Sequence, residues 1–173
     1  MHDYRVCWFE HRFLRAGLLA DGDRLILIDI THGRDEFLAE TASEFGGAED
    51  AAPFRILIDE LAEYVDGKRK TFTTPVRPDG GAFTKAVLEA TARIPYGQVK
   101  SYADVARAAG SARAVRAAGN ALAKNPFPIL IPCHRVVKTG GLLGGFGGGR
   151  DLKIKLLALE GFEIIGERVV SRF

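Results

Sequence analysis

At 173 residues the chain is long enough for one large domain or two small ones, each able to bury a core, and two compact units are the preferred division. Apolar residues at 47% and charged residues at 27% are ordinary for a globular protein, and the longest apolar runs, such as Pro128 to Pro132, are too short to span a bilayer. The net charge of +2 hides an asymmetry: residues 1–78 hold 10 Lys and Arg against 15 Asp and Glu, whereas residues 79–173 hold 14 against 7. A balance of −5 followed by one of +7 suggests that the second half meets a polyanion, although scattered surface charge would look the same.

Met1 to Glu10 mixes charge and aromatics with no apolar signal stretch, so an intracellular, cytoplasmic and reducing setting is expected. Tyr4 to Phe9, Phe13 to Leu19 and Arg24 to Ile30 are rich in β-branched and aromatic residues and read as short strands. Ala20-Asp21-Gly22-Asp23 supplies a hairpin turn, giving a small antiparallel sheet. Phe54, Leu57, Ile58, Leu61 and Val65 share one helical face, and Gly67 stops that helix, which would cover the sheet. Lys68 to Gly81, with Pro75, Pro78 and Gly80-Gly81, has linker composition where the charge changes sign, and divides a domain 1–78 from a domain 79–173.

Phe83, Val87, Ala90 and Ile94 mark an amphipathic helix that ends before Pro95-Tyr96-Gly97. Ser101 to Asp104 forms a capping box for a short helix that ends at Gly110, and Ser111 is the expected cap of a second helix reaching about Lys124. The pair suggests a helix-turn-helix. Ala114, Ala117, Ala118, Gly119 and Ala121 leave the second helix nearly bare, suited either to tight core packing or to close approach to another surface. Arg113 and Arg116 near its positively polarised N-terminus fit phosphate contact. Asn125-Pro126 ends it.

Ile129 to Val137 places Cys133 and His134 between two apolar runs that should hold the segment rigid. A thiolate is the reactive form of cysteine, and His134 or Arg135 could favour it. Glu160, at the end of a helix over Asp151 to Leu159, is a candidate to orient the imidazole. From spacing alone a structural Cys-His pair is as good a reading. Cys7 and Cys133 are too isolated to suggest a disulfide or a zinc site, and Cys7 reads as a small core residue.

The runs Pro95 to Tyr102, Ala114 to Leu122, Asn125 to Val137, Gly144-Gly-Phe-Gly-Gly148 and Leu156 to Gly161 closely resemble the 6-O-alkylguanine-DNA alkyltransferase family over roughly residues 80 to 165. Pro-Cys133-His-Arg-Val with its upstream Asn-Pro is the most specific part. Residues 1–78 are only generally similar to the family's variable N-terminal domain.

The resemblance implies an α+β chain: a ribonuclease H-like N-terminal domain, then a mostly helical, winged-helix-like domain. It implies repair of O6-alkylguanine, with O4-alkylthymine a second candidate, by irreversible transfer of the alkyl group to Cys133. His134 would activate the thiol through a water, Glu160 would orient His134, and Asn125 would brace the turn before the acceptor segment. Tyr102 would help rotate the nucleotide and donate to guanine N3. Arg116 would fill the stack that the guanine leaves, the small residues Ala114 and Ala117 would let the helix enter the minor groove, and Arg113, Ser101 and Arg135 would add DNA contacts. Val136, Lys153 and the loop Gly144, Phe146, Gly147 and Gly148 would line the base pocket. Phe146 stands where several members carry Tyr and Gly147 where some carry Ser, positions that bear on alkyl size and on the hydrogen bond to guanine O6. The expected partner is duplex DNA carrying the lesion, met by a monomer without cofactor, metal or membrane. His2, His11 and His32 lack the cysteine partners of the zinc site that some members carry.

A lesion sensor or helix-turn-helix regulator would share the basic half but not need Cys133, and a Cys-His-Glu hydrolase would share the three groups but turn over repeatedly.

Overall fold

The computed structural model describes residues 2–172 and divides into two compact units, meeting between Val76 and Arg77. It is a mixed α+β chain.

In the first unit, β1 (Tyr4–His11), β2 (Leu14–Asp21) and β3 (Arg24–Asp29) form an antiparallel meander, with Asp21 opposite Arg24 across Gly22-Asp23. After α1 (Arg34–Phe45), β4 (Ala48–Glu49) adds to the free edge of β1 in parallel, so the order is β3-β2-β1-β4. Strand β2 is buried along most of its length, lying between β3 and β1 with α1 packed against it. Helix α1 seats Phe37 among Val6, Leu19 and Trp8, directly over Gly17. A Cβ at Gly17 would come within 2.5 Å of the Phe37 ring, so this position must lack a side chain for the helix to dock. Helix α2 (Arg55–Val65) buries Leu57, Leu61, Tyr64 and Val65 and packs against β1. Cys7 is buried in β1.

Glu60 is the polar exception in α2, with only 2% of its side chain exposed. Its carboxylate accepts the backbone N–H and hydroxyl of both Thr73 and Thr74, at 2.6 to 3.1 Å, and Arg69 Nη1 at 3.2 Å. Burial pushes its pKa up, but the threonine bonds outweigh that and hold it below the ordinary carboxylate value. The resulting stabilisation is fully present above the unfolded glutamate pKa, about 4.3, and is lost as the pH falls below it. Glu60→Ala is expected to destabilise this unit by about 2–4 kcal/mol at neutral pH, because five donors, four from Thr73 and Thr74 and one from Arg69, lose a charged acceptor. Urea unfolding at pH 7 and at pH 3.5 checks this: the gap between wild type and variant should narrow at the acidic pH.

In the second unit, α3 (Ala82–Ala92) contacts α4 (Tyr102–Ala108) and α5 (Val115–Ala123), which are themselves packed together. The capping box of α4 is present: Asp104 N–H donates to Ser101 Oγ at 3.1 Å and Ser101 N–H to Asp104 Oδ2 at 3.0 Å. Ser111 does not cap α5 as expected. That helix starts at Val115 from an Ala114 N-cap with no side-chain bond, and Ser111 contributes its carbonyl to Ala114 N–H at 3.0 Å. Residues 112–114 spend one turn on that bond before helical geometry begins.

Beyond α5, β5 (Lys100–Ser101) pairs in parallel with β6 (Val136–Val137), tying the start of α4 to the residues after Cys133. Helix α6 (Gly149–Leu159) and the hairpin of β7 (Phe162–Ile165) and β8 (Arg168–Ser171) close the unit around Leu143, Leu157 and Phe162. Among the described residues no helix is long and apolar enough to cross a membrane.

Candidate active site

The segment between α5 and β6 folds tightly because three prolines restrict it and one side chain bridges it. Asn125 Oδ1 accepts from Phe127 N–H at 3.0 Å while its Nδ2 donates to Ile131 O at 2.9 Å and lies 3.3 Å from Cys133 Sγ. At its apex Ile129 is buried with φ at 78°, a conformation costly for a β-branched residue and held by the surrounding bonds. Cys133 to Arg135 then form one 3-10 turn, so three consecutive side chains leave in three directions.

Cys133 is half-buried in the wall of a cavity of about 360 Å³, lined also by Tyr102, Gly119, Leu122, Ala123, Gly145, Phe146 and Gly147. Burial pushes its thiol pKa up, while the Asn125 amide, the Lys153 charge and the N–H groups of Cys133 and His134 pull the other way. The resting group is therefore a thiol that needs help to ionise. His134 is fully buried, with Nε2 2.9 Å from Glu160 Oε1 and its ring edge-on to Phe146. Burial is the largest influence on its pKa and lowers it. Glu160 is pushed up by burial but brought down to about 2 by its bonds from His134 and Arg135. A neutral imidazole beside a carboxylate must donate from Nε2, which leaves the Nδ1 lone pair as the basic position.

Arg135 does not occupy the DNA-facing position expected of it. It is 6% exposed, donates to both oxygens of Glu160 at 2.8 to 3.1 Å and to Ile94 O at 2.6 Å, and lies over the Tyr96 ring. Val136 and Lys153 also fall outside the cavity wall. Val136 is buried in β6, and Lys153 is fully buried, donating from Nζ to Val136 O at 2.7 Å and Gly145 O at 3.1 Å. The lysine thus ties the acceptor strand to the glycine loop, and burial lowers its pKa to about 8. Lys153→Met should slow labelling of Cys133 by iodoacetamide near pH 8 about tenfold, since the neighbouring positive charge that favours thiolate is gone. An unaltered pH profile in a folded variant would remove Lys153 from the electrostatics of the thiol.

Of the other expected residues, Tyr102, Phe146 and Gly147 line the cavity. Gly144 is beside it, where a Cβ would stand 3.3 Å from the Tyr102 ring, and Gly148 caps α6. Arg113, Arg116 and Ala117 are exposed at the start of α5, Ala114 is half-buried, and Ser101 is engaged in its capping box. Gly119, Leu122 and Ala123 line the cavity without having been singled out as pocket residues; their i, i+3, i+4 spacing on one helix face was the available signal.

The arrangement defines a class of site: one half-buried thiol, braced by an amide, with a buried imidazole–carboxylate pair behind it and a small-residue helix beside it. Residues 82–162 match the family model described as 6-O-methylguanine DNA methyltransferase, DNA binding domain. A methylated-DNA–protein-cysteine methyltransferase of Methanosarcina mazei is 36% identical over 143 residues, covering 83% of this chain and 89% of that protein. The inducible protein of the same name from Bacillus subtilis is 48% identical over 101 residues, 58% of this chain but only 56% of its own length. The chain belongs to the methylated-DNA–protein-cysteine methyltransferase family. The crystal structure of Mycobacterium tuberculosis O6-methylguanine methyltransferase superposes with a TM-score of 0.78 at 31% identity, covering 91% of this chain and 92% of that one. The structure of M. tuberculosis OGT in complex with DNA matches with the same score and identity.

Proposed function

We propose that this protein repairs O6-alkylguanine in duplex DNA by moving the alkyl group, once and irreversibly, onto Cys133. The observation that carries the reading is the position of Cys133 Sγ, in the cavity wall, 3.3 Å from Asn125 Nδ2 and one residue from the buried His134–Glu160 pair. O4-alkylthymine is a second candidate substrate, and the cytoplasm, where thiols stay reduced, the expected setting.

In this reading the second unit is a winged helix-turn-helix, α4 and α5 followed by the β7–β8 hairpin, and the first is a ribonuclease H-like sheet domain. Helix α5 enters the minor groove on its small-residue face. Arg116 takes the place of the target base in the stack, offsetting an extrusion cost of a few kcal/mol. The extruded guanine enters the cavity, where Tyr102, whose pKa burial and the neighbouring Cys133 raise, stays protonated and can donate to the base.

The Cys133 proton passes through a water to His134 Nδ1. The thiolate attacks the alkyl carbon in line, the C–O6 bond breaks with its electron pair going to guanine, and guanine takes up the proton. The product is a thioether, which offers water no carbonyl to attack, so one protein molecule repairs one lesion.

Counting restored guanine against protein tests this. With 6-O-methylguanine duplex in large excess, product should plateau at one equivalent. Continued turnover, or hydrolysis of a simple ester by Cys133, would support a hydrolase instead.

A further inference from the structure

Four donors converge on the Glu160 carboxylate: His134 Nε2, Arg135 Nε and Nη2, and the Gly97 N–H at 3.2 Å. Only one of these residues adjoins the thiol, yet Arg135 makes the more extensive contact. Its guanidinium is held further by Ile94 O and by the Tyr96 ring, and the residue is only 6% exposed. Tyr96 is fixed in turn through its hydroxyl, which donates to Leu159 O at 2.7 Å. A guanidinium built in this way is not placed for DNA contact.

We propose that Arg135 is a positioning residue for proton transfer: clamped across both oxygens of Glu160, it cancels the carboxylate charge behind His134, so that the imidazole keeps one tautomer and gives up the proton it takes from Cys133. An imidazole backed by an uncompensated buried carboxylate would hold a proton strongly, since an opposite charge at hydrogen-bond distance favours the charged form. His134 would then rest as imidazolium, unable to accept the thiol proton. With Arg135 in place the pair behind the ring carries no net charge. Glu160 itself favours imidazolium, and Lys153 opposes it as Arg135 does. Phe146 on the ring edge adds no charge. The proton balance closes with no other titrating group: from the thiol through the water to the imidazole, and from the imidazole to the departing guanine, with Glu160 a carboxylate and Arg135 a cation throughout.

The inference rests on the alkyl-transfer reading for its purpose, but its test reads proton occupancy with no DNA present. Nitrogen-15 NMR of the imidazoles follows His134 apart from the other three histidines. In the wild type it should be neutral, in the Nε2–H form, at pH values where an ordinary histidine of pKa about 6.5 is half protonated. In Arg135→Met its proton affinity should rise at least about tenfold, and the acidic limb of the single-turnover rate should move to higher pH by the same amount, with much of the rate regained above it. Arg135→Lys, which keeps the charge, should stay close to wild type. A wild-type His134 that titrates at or above the ordinary value overturns the proposal even if no variant folds. So does a folded Arg135→Met whose His134 titration is unmoved, or whose rate falls equally at every pH. Transfer with an unmoved titration would sink this proposal alone, whereas the expected titration without any transfer would sink the proposed function and leave the electrostatics intact.

Discussion

Cys133→Ser is expected to abolish alkyl transfer from duplex DNA while leaving DNA affinity within about twofold of wild type. The substitution changes one atom in the cavity wall, and Asn125, which spans the turn through Ile131 O and Phe127 N–H, needs no contact from the sulfur to hold its position. The basic residues at the start of α5 are untouched. What is lost is a nucleophile that a neutral imidazole can deprotonate through one water, and a serine hydroxyl is far harder to ionise. Cys7 cannot substitute: it is buried in the other unit, and burial, with Glu49 and Asp50 nearby, raises its pKa. Labelled methyl groups counted on wild type and variant, beside a binding titration, measure both effects. Stoichiometric label on the variant would remove Cys133 from the acceptor role.

Arg116→Ala should slow repair of duplex DNA by about ten- to a hundredfold, which corresponds to the few kcal/mol that extrusion costs. Arg116 is exposed in the first turn of α5, and its neighbours Ala117 and Ala114 are too short to fill an emptied stack. Its removal should matter only when a base must leave the helix, so the rate on free 6-O-benzylguanine should be nearly unchanged. Saturating duplex separates this role from phosphate binding, because weakened affinity can be rescued by concentration and a lost extrusion step cannot. Full rescue at saturation would refute the extrusion role. An equal loss on the free base would indicate damage to the cavity around Cys133.

The parts of this site legible in the sequence are those set by local chemistry. The β-branched and aromatic strand runs, the apolar stripe of α2 and the Ser101–Asp104 capping box depend on residues within a short stretch of chain. Arg135 was not legible for a geometric reason: it adjoins His134, but a 3-10 turn sends consecutive side chains apart, and only the fold brings Glu160 round to meet it. Lys153 likewise sits twenty residues from Cys133 and reaches the site by burying its whole stem. Helix α1 gave a weak apolar stripe because only Phe37 and Thr41 are buried, its docking depending on an absent side chain at Gly17. The β7–β8 hairpin carries no clean alternation, because Ile165 and Val170 are exposed beside the inward-facing Ile164 and Val169; its local mark is the two-residue turn Gly166-Glu167 between paired strands.

The acceptor role of Cys133 can be read most directly by intact-mass measurement of the protein after incubation with one equivalent of duplex containing a single 6-O-methylguanine, followed by peptide mapping. The account predicts a gain of one methylene unit per chain, carried entirely by the peptide containing Cys133, with ordinary guanine restored in the DNA. An unchanged mass while the duplex is bound, or a methyl group found on any other residue, would contradict it.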